Sequence, residues 1–353
     1  MKWSSNRRQW TSASWLLSRW LAARVGQRAV ARSTNTHARI SSALVVGLTS
    51  AVLLPGRVTA QALPFHTETA ITTGFEEAAA RTFSTFFGRE GLRRDGVGIT
   101  DPMQRDIDVF AQVVGVLPYA ITPMWTTRIV VPFVRKSLDF TPPGAARMDY
   151  TTSGVGDVLV DTKWVFFRSN RLKGTTRVGI EGGVKIPLGN TDSRLPDGTI
   201  APRPLQLGSG SWDFPFKALF TMTRDRFGLL ANAGYRVNTS NDGFEAGDVF
   251  SYDVALGLRV APWVYRSLAD KSLMVYLELN GEVAQRSAIA GTPSPDSGGH
   301  LLFLSPDLQW IPTPSLLFEA SVQIPIVQDL NGTQMEYDTR FQFGTRVRFS
   351  VFR

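Results

Sequence analysis

The sequence predicts an all-β protein, a transmembrane antiparallel β-barrel of about twelve strands. Three observations predict it: apolar and polar residues alternate along many segments, the alternating runs are long, and their polar positions are charged. The clearest run lies near the C-terminus, where apolar residues or threonine occupy every second position from Met335 to Val351. A strand that crosses a bilayer needs about 9–11 residues, with an apolar face towards lipid and a polar face towards the lumen.

A soluble β-sandwich is the alternative, because it also buries one face of each alternating strand. It would enclose Phe216, Phe318 and Phe343 between two sheets. The C-terminal alternation extends over about seventeen residues, whereas an ordinary strand has about five or six. Strand length and charge therefore favour the barrel.

Residues 1–62 have the pattern of an export signal peptide with a long basic n-region. An uncharged run from Ile40 to Gly56 follows the basic part, and small residues then form two signal-peptidase motifs, Val58-Thr-Ala60 and Ala60-Gln-Ala62. The mature chain is therefore expected to begin near Gln61 or Leu63, and residues 63–353 form one barrel domain.

The net charge of +8 comes from this leader. Residues 1–60 contain nine Lys or Arg and no acidic residue, which leaves 29 basic and 30 acidic residues in the rest of the chain. No basic surface for nucleic acid is therefore expected. The chain has no cysteine, and its mature part has only two distant histidines, His66 and His300, so neither a cofactor nor a metal site is expected.

The first part of the mature chain, residues 63–100, has a weak pattern. Phe83, Thr85 and Phe87 alternate as in a first strand, after an irregular lead. A small plug inside the lumen is the alternative for this lead, and residues 76–83 could also form a short helix.

From Asp106 onward the alternation repeats and predicts the other eleven strands. They contain residues 107–113, 125–133, 158–166, 178–186, 212–222, 227–237, 250–260, 273–283, 302–310, 316–324 and 335–351. Polar connections at 187–210, 239–247 and 287–299 are long, whereas the turn at 313–315 is short. Long loops at one rim and short turns at the other are expected of an outer-membrane barrel.

Five ordered motifs resemble a known family. They are Gly154-Val-Gly-Asp157, residues 183–190, residues 207–213, residues 305–310 and residues 322–332. Together they resemble the outer-membrane family named for the meta-pathway of phenol degradation, which is related to channels for fatty acids and aromatic hydrocarbons. The resemblance implies a bacterial outer-membrane barrel, inserted into lipid by the assembly machinery. The chain departs from such barrels in one respect. They commonly end on an aromatic residue, whereas here the aromatic Phe352 is followed by Arg353.

The predicted lumen face carries charges of both signs in nearly equal numbers, which argues against a strongly ion-selective pore. Most of these residues are expected to pair with each other and leave a narrow path for passive uptake of small hydrophobic or aromatic molecules. The candidate residues of this path are Asp157, Asp161, Lys163, Arg177, Glu181, Lys185, Asp213, Lys217, Arg236, Asp253, Arg259, Glu278, Glu319, Asp338, Arg340 and Arg346.

Two other functions fit a barrel of this size. An outer-membrane lipid hydrolase would need a serine beside a histidine, for which Ser297 or Ser305 with His300 are the candidates. A structural or adhesion barrel would use its long loops to bind a partner. The channel is the preferred hypothesis, and the protein is not expected to be an enzyme.

Overall fold

The computed structural model describes residues 62–74, 77–116, 118–267 and 270–350. All of them belong to one compact unit, Leu53–Arg353. The predicted signal peptide, except for Ala62, and the terminal Phe352 lie outside the described residues.

Most of the described chain forms strands, and its one helix is a short 3₁₀ helix at Arg203–Leu205. In chain order the strands are β1 (Glu77–Glu90), β2 (Leu92–Arg94), β3 (Val97–Ile99), β4 (Asp106–Val116), β5 (Tyr119–Thr122), β6 (Trp125–Phe140), β7 (Met148–Val155), β8 (Val158–Arg171), β9 (Gly174–Ile186), β10 (Phe214–Arg224), β11 (Phe227–Val237), β12 (Ser240–Asn241), β13 (Phe244–Glu245), β14 (Val249–Ala261), β15 (Ser272–Ala284), β16 (Ala288–Ile289), β17 (Thr292–Pro293), β18 (Gly299–Thr313), β19 (Leu316–Leu330), β20 (Thr333–Met335) and β21 (Arg340–Ser350).

Twelve long antiparallel strands close into a barrel. Their order around the wall is β1, β4, β6, β8, β9, β10, β11, β14, β15, β18, β19 and β21. The barrel closes because β21 pairs with β1, from Ser350 opposite Glu77 to Phe341 opposite Phe86. This confirms the predicted fold and its strand number. Closure gives each of these twelve strands a neighbour on both sides, as a strand structure in lipid requires.

One wall position is shared by two strands. β6 pairs with β8 near its start and with β7 along its second half, so β7 and β8 form one interrupted strand. The interruption falls at Gly156-Asp157. There the backbone N–H of Gly156 still donates to the carbonyl of Pro132, at 2.9 Å.

The outer surface of the wall is apolar. Phe216 and Phe343 are 54% and 56% exposed, and Trp310 is 47% exposed. On β18, by contrast, the side chains of Ser305 and Gln309, which point to the other face, are fully buried. The sandwich alternative is therefore wrong, because it required these phenylalanines to be sealed between sheets.

The two rims of the barrel differ. The rim at the ends of β1, β9, β11, β15 and β19 carries the longer loops, and short strands in these loops form two small sheets, β12-β13-β16-β17 and β20-β2-β3. The opposite rim has tight turns such as the one between Thr313 and Leu316. Close to this rim the exposed rings of Trp125, Trp164 and Trp310 form part of an aromatic belt.

The sequence prediction was wrong about the length of the last strand. The alternation from Met335 to Val351 predicted one strand, but Thr333–Met335 pairs with β2 and the barrel strand begins only at Arg340. Between them, the side-chain amide of Gln328 binds both the N–H and the carbonyl of Tyr337, at 2.8 and 2.9 Å. This side chain replaces the backbone partner that a continuous strand would have supplied.

The structure also excludes one alternative considered for the first part of the mature chain. The helix considered for residues 76–83 does not form, because Glu77 onward belongs to β1. In the part of the chain that the structure describes, no helix has the length and apolar character needed to cross a membrane.

Candidate functional site in the barrel lumen

Residues 62–74 lie inside the barrel, and we call them the interior segment. They have no regular secondary structure. Phe65 is 6% exposed and Ala70 is fully buried, although both precede the first strand. Ala70 packs against inward-facing Val165 and Leu219 of the wall. The segment therefore occupies space that would otherwise belong to the lumen.

The first anchor of the interior segment is the carboxylate of Glu278 on β15. Its Oε1 atom accepts hydrogen bonds from the backbone N–H groups of Phe65 and His66, at 2.8 and 3.0 Å. Its Oε2 atom accepts from the N–H of Thr67, at 2.6 Å, and from the hydroxyl of Thr67. Three consecutive N–H groups thus converge on one buried carboxylate, an arrangement that binds anions well.

The second anchor is the carboxylate of Glu68. It pairs with Arg128 of β6, at 2.7 Å, and with Lys163 of β8. Arg128 also makes a bidentate contact with Asp161, at 2.7 to 3.0 Å, and lies 3.1 Å from Glu181. Two cations and three carboxylates therefore form one network, of which only Glu68 belongs to the segment.

A third contact involves Arg81 of β1. Its guanidinium binds Glu319 at 2.6 Å and donates to the carbonyl of Phe65 at 3.2 Å. It also lies 4.9 Å from the ring centres of both Phe65 and Phe83. Glu319 is in turn 3.8 Å from Arg346. These two predicted lumen residues, Glu319 and Arg346, are thus part of the wall around the segment.

Nearer the long-loop rim, three more predicted residues form an ion cluster. Lys185 binds Asp213 and lies 3.2 Å from Asp157. Asp157 also accepts from the N–H groups of Gly189 and Ser209, both at 3.0 Å. The cluster therefore holds the loop after β9 against the break between β7 and β8.

Other predicted lumen residues have separate partners. Asp253 accepts from the Asn280 amide at 2.9 Å, and Arg259 lies 3.5 Å from Asp225 at the short-turn rim. The guanidinium of Arg177 donates to Thr175 at 3.2 Å.

Four predicted lumen residues remain, and their positions and surroundings differ from one to the next. Arg340 lies 3.1 Å from the Gln323 side chain and within 5.5 Å of three aromatic ring centres. Lys217 is half-buried on β10, whereas Arg236 is exposed near the end of β11. Asp338 lies before β21 instead of within it.

Sequence reasoning missed Glu68, Arg81 and Arg128 as lumen residues. Arg128 had a signal, since it occupies a polar position in an alternating strand. Glu68 had none, because the interior segment has no periodicity. Arg81 precedes the weak part of the first strand that the pattern identified.

A small cavity lies between the interior segment and the wall. Its volume is about 100 Å³, and its wall side is lined by Ala79, Thr126, Arg128, Arg346 and Arg348. A space of this size holds a few water molecules or one small organic group.

The catalytic pair considered from the sequence does not form. The Nε2 atom of His300 lies 2.8 Å from the hydroxyl of Tyr252. Ser305 lies on the opposite face of the strand and donates to Asn280 at 2.7 Å, while the Ser297 hydroxyl donates to the carbonyl of Ser294. Among the described residues, no group of three or more His, Asp and Glu side chains could hold a metal ion.

A closed twelve-stranded barrel with an apolar outer surface and a charged interior is a transmembrane barrel of the bacterial outer membrane. The chain belongs to the family described as "Putative MetA-pathway of phenol degradation", which matches residues 105–326, more than half of its length. This confirms the resemblance inferred from the ordered motifs. A comparison with curated proteins finds no match.

A solved structure shares the fold, and two others are similar at a lower level. The COG4313 outer membrane channel from Pseudomonas putida F1 superposes with a TM-score of 0.60 at 15% identity, over 84% of this chain and 100% of that one. A FadL homologue from Pseudomonas aeruginosa gives a TM-score of 0.35 at 12% identity, over 78% of this chain and 90% of that one. The β domain of the Bordetella autotransporter BrkA gives 0.41 at 11% identity, over 77% and 100%. Of these three structures, the COG4313 channel is the one whose similarity supports a shared fold.

Proposed function

We propose that the protein is an outer-membrane channel for passive uptake of small hydrophobic or aromatic molecules. The observation that carries this proposal is an interior segment that lies in a closed barrel and is held there by hydrogen bonds, ion pairs and side-chain packing instead of strand pairing. Because the segment is not part of the strand ladder, it narrows the lumen but can shift without opening the wall.

The balance of charge in the lumen supports uncharged solutes. Arg128 pairs with three carboxylates, Lys185 with two, and Arg81 with Glu319. Since these charges neutralise one another, neither cations nor anions gain a strong electrostatic advantage in the lumen.

Aromatic rings inside the barrel support flat, apolar solutes. The guanidinium of Arg340 lies 5.0, 4.5 and 5.5 Å from the ring centres of Phe87, Phe303 and Tyr337. Phe65 and Phe83 make an edge-to-face contact at 5.5 Å deeper in the lumen. Such rings favour stacking with an aromatic solute over contact with a sugar. The family description, which names phenol degradation, points to the same class.

Single-channel recording in planar bilayers tests the proposal. We expect a small conductance from the purified protein, and brief interruptions of the current when phenol or benzyl alcohol is added. Arabinose, a sugar of comparable mass, is the matched control and should cause far fewer interruptions. Absence of conductance in a folded protein, or equal interruptions by the aromatic solute and the sugar, would exclude this function.

A further inference from the structure

Two buried carboxylates in the lumen have no basic partner. Glu278 is fully buried and Asp307 is 5% exposed. They lie side by side, because the N–H of Phe65 donates to both, at 2.8 and 3.2 Å. In the described part of the chain, no ion pair with Lys or Arg involves either of them. The ring of His66, the nearest histidine, contacts the Ser321 hydroxyl at 3.1 Å instead.

In the part of the chain that the structure describes, two acceptor atoms of this site also have no hydrogen-bond donor. They are Oδ1 of Asp307 and Oε1 of Gln309, both fully buried. The orientation of the Gln309 amide is fixed, because its Nε2 atom donates to the carbonyl of Leu63 and to Glu319. Its Oε1 atom must therefore be an acceptor. A buried acceptor without a donor is costly, so this site calls for a group that donates several hydrogen bonds.

Upstream of Phe65, the described backbone leaves the nitrogens of Leu63 and Ala62 to supply such a group, and that of Leu63 is the nearer in the chain. Pro64 has no N–H, and the N–H of Phe65 is already used by Glu278 and Asp307. The next nitrogen towards the start of the chain is that of Leu63. In an uncleaved chain this nitrogen has one hydrogen and no charge. As a chain terminus it is an ammonium group with three hydrogens and a positive charge.

The sequence places a signal-peptidase motif at this point. The small residues of Ala60-Gln-Ala62 fit cleavage after Ala62. Water would add across the Ala62–Leu63 peptide bond, so that Ala62 leaves with a carboxylate and Leu63 becomes the ammonium terminus. The cut must precede closure of the barrel, because Leu63 lies inside it.

We propose that the mature chain begins at Leu63 and that its terminal ammonium docks inside the lumen on Asp307 and Gln309. The docked ammonium supplies the positive charge that the Glu278–Asp307 pair lacks and donates to the two unused acceptors. Cleavage thereby creates the ligand that fixes the interior segment. This inference concerns the processing and docking of the chain itself and does not depend on the transported solute.

The first test is the intact mass of the protein purified from outer membranes. We expect the mass of a chain that starts at Leu63. A chain that starts at Gln61, which cleavage after Ala60 would produce, overturns the proposal.

The second test measures the reactivity of the terminal amine towards an acetylating succinimide ester at neutral pH. In the folded protein we expect acetylation at least about tenfold slower than after unfolding in urea, since an ion-paired ammonium is a poor nucleophile. The exposed Lys271 is the internal control, and its rate should change little. Equal rates for the folded and unfolded terminus would overturn the proposal.

The variant Asp307→Asn separates docking from simple burial. In a folded Asp307→Asn protein the terminus should become markedly more reactive, whereas Asp197→Asn in an exposed loop should have no effect. An unchanged rate in folded Asp307→Asn overturns the assignment to Asp307. If this variant does not fold, the comparison of folded and unfolded wild-type protein decides by itself.

Discussion

Two adjacent parts of the interior segment, Phe65 to Thr67 and Glu68, are held in opposite ways. At Phe65, His66 and Thr67 the wall supplies the charge, through Glu278, and the segment supplies backbone N–H groups. At Glu68 the segment supplies the charge and the wall supplies the cations of Arg128 and Lys163. The first anchor depends on the path of the backbone, and the second depends on one side chain. Different substitutions should therefore weaken the two anchors separately.

The largest effect is expected for Arg128→Leu, because Arg128 forms ion pairs both within the wall and with the interior segment. Among the described residues, its loss leaves Asp161 without an ion pair and leaves Lys163 as the one cation paired with Glu68 and Glu181. Leaving buried charges without a partner costs about 3–5 kcal/mol. Urea unfolding of the barrel in detergent micelles should show a loss of this size. Arg147→Leu is the control, since Arg147 is an exposed partner of Asp139 and should cost at most about 1 kcal/mol. Equal losses for the two variants would contradict the network.

A smaller effect, confined to the segment, is expected for Glu278→Gln. One amide oxygen cannot accept from Phe65, His66 and Thr67 together, and the amide NH₂ faces N–H groups that need acceptors. Losing charge-assisted bonds of this kind costs about 3 kcal/mol, which changes the ratio of released to docked segment by about 100-fold. Single-channel recordings should show a larger open fraction than in the wild type. Asp139→Asn at the loop rim is the control. An open fraction for Glu278→Gln as low as that of Asp139→Asn would refute the anchor.

The smallest effect is expected for Glu68→Gln, which removes only the charge that the segment contributes to the second anchor. The wall retains two cations, Arg128 and Lys163, with two carboxylates, Asp161 and Glu181, so its stability should be nearly unchanged. The segment loses the ion pairs of Glu68 with Arg128 and Lys163, and the open fraction should rise about tenfold, less than in Glu278→Gln. Recordings of the two variants in the same lipid decide the order. If Glu68→Gln opens the channel more, the side-chain anchor is the stronger one.

The wall could be predicted from the sequence, and the contacts of the interior segment could not. A residue on a membrane strand has one face in lipid, so alternation along 302–310 and 316–324 identified the inward positions of Asp307 and Glu319. The interior segment obeys no such rule, because its main anchor uses N–H groups that every residue except proline has. Thus Phe65, His66 and Thr67 carry no sign of their contact with Glu278.

The start of the last strand could not be predicted for a related reason. The alternation continues through Tyr337, but the Gln328 side chain takes the hydrogen bonds that would have continued the strand. A pattern of apolar and polar residues does not reveal such a competing partner. The same pattern correctly identified the outward faces of Phe341 and Phe343.

The strand that follows the interior segment, β1, is also the one that meets β21 where the barrel closes. Until the last strand arrives, that seam is open along its whole length. The interior segment can therefore enter sideways, carried by its own neighbouring strand, and no free end has to be threaded through a finished ring. Assembly of the wall and filling of its centre become a single event, completed when β21 pairs with β1.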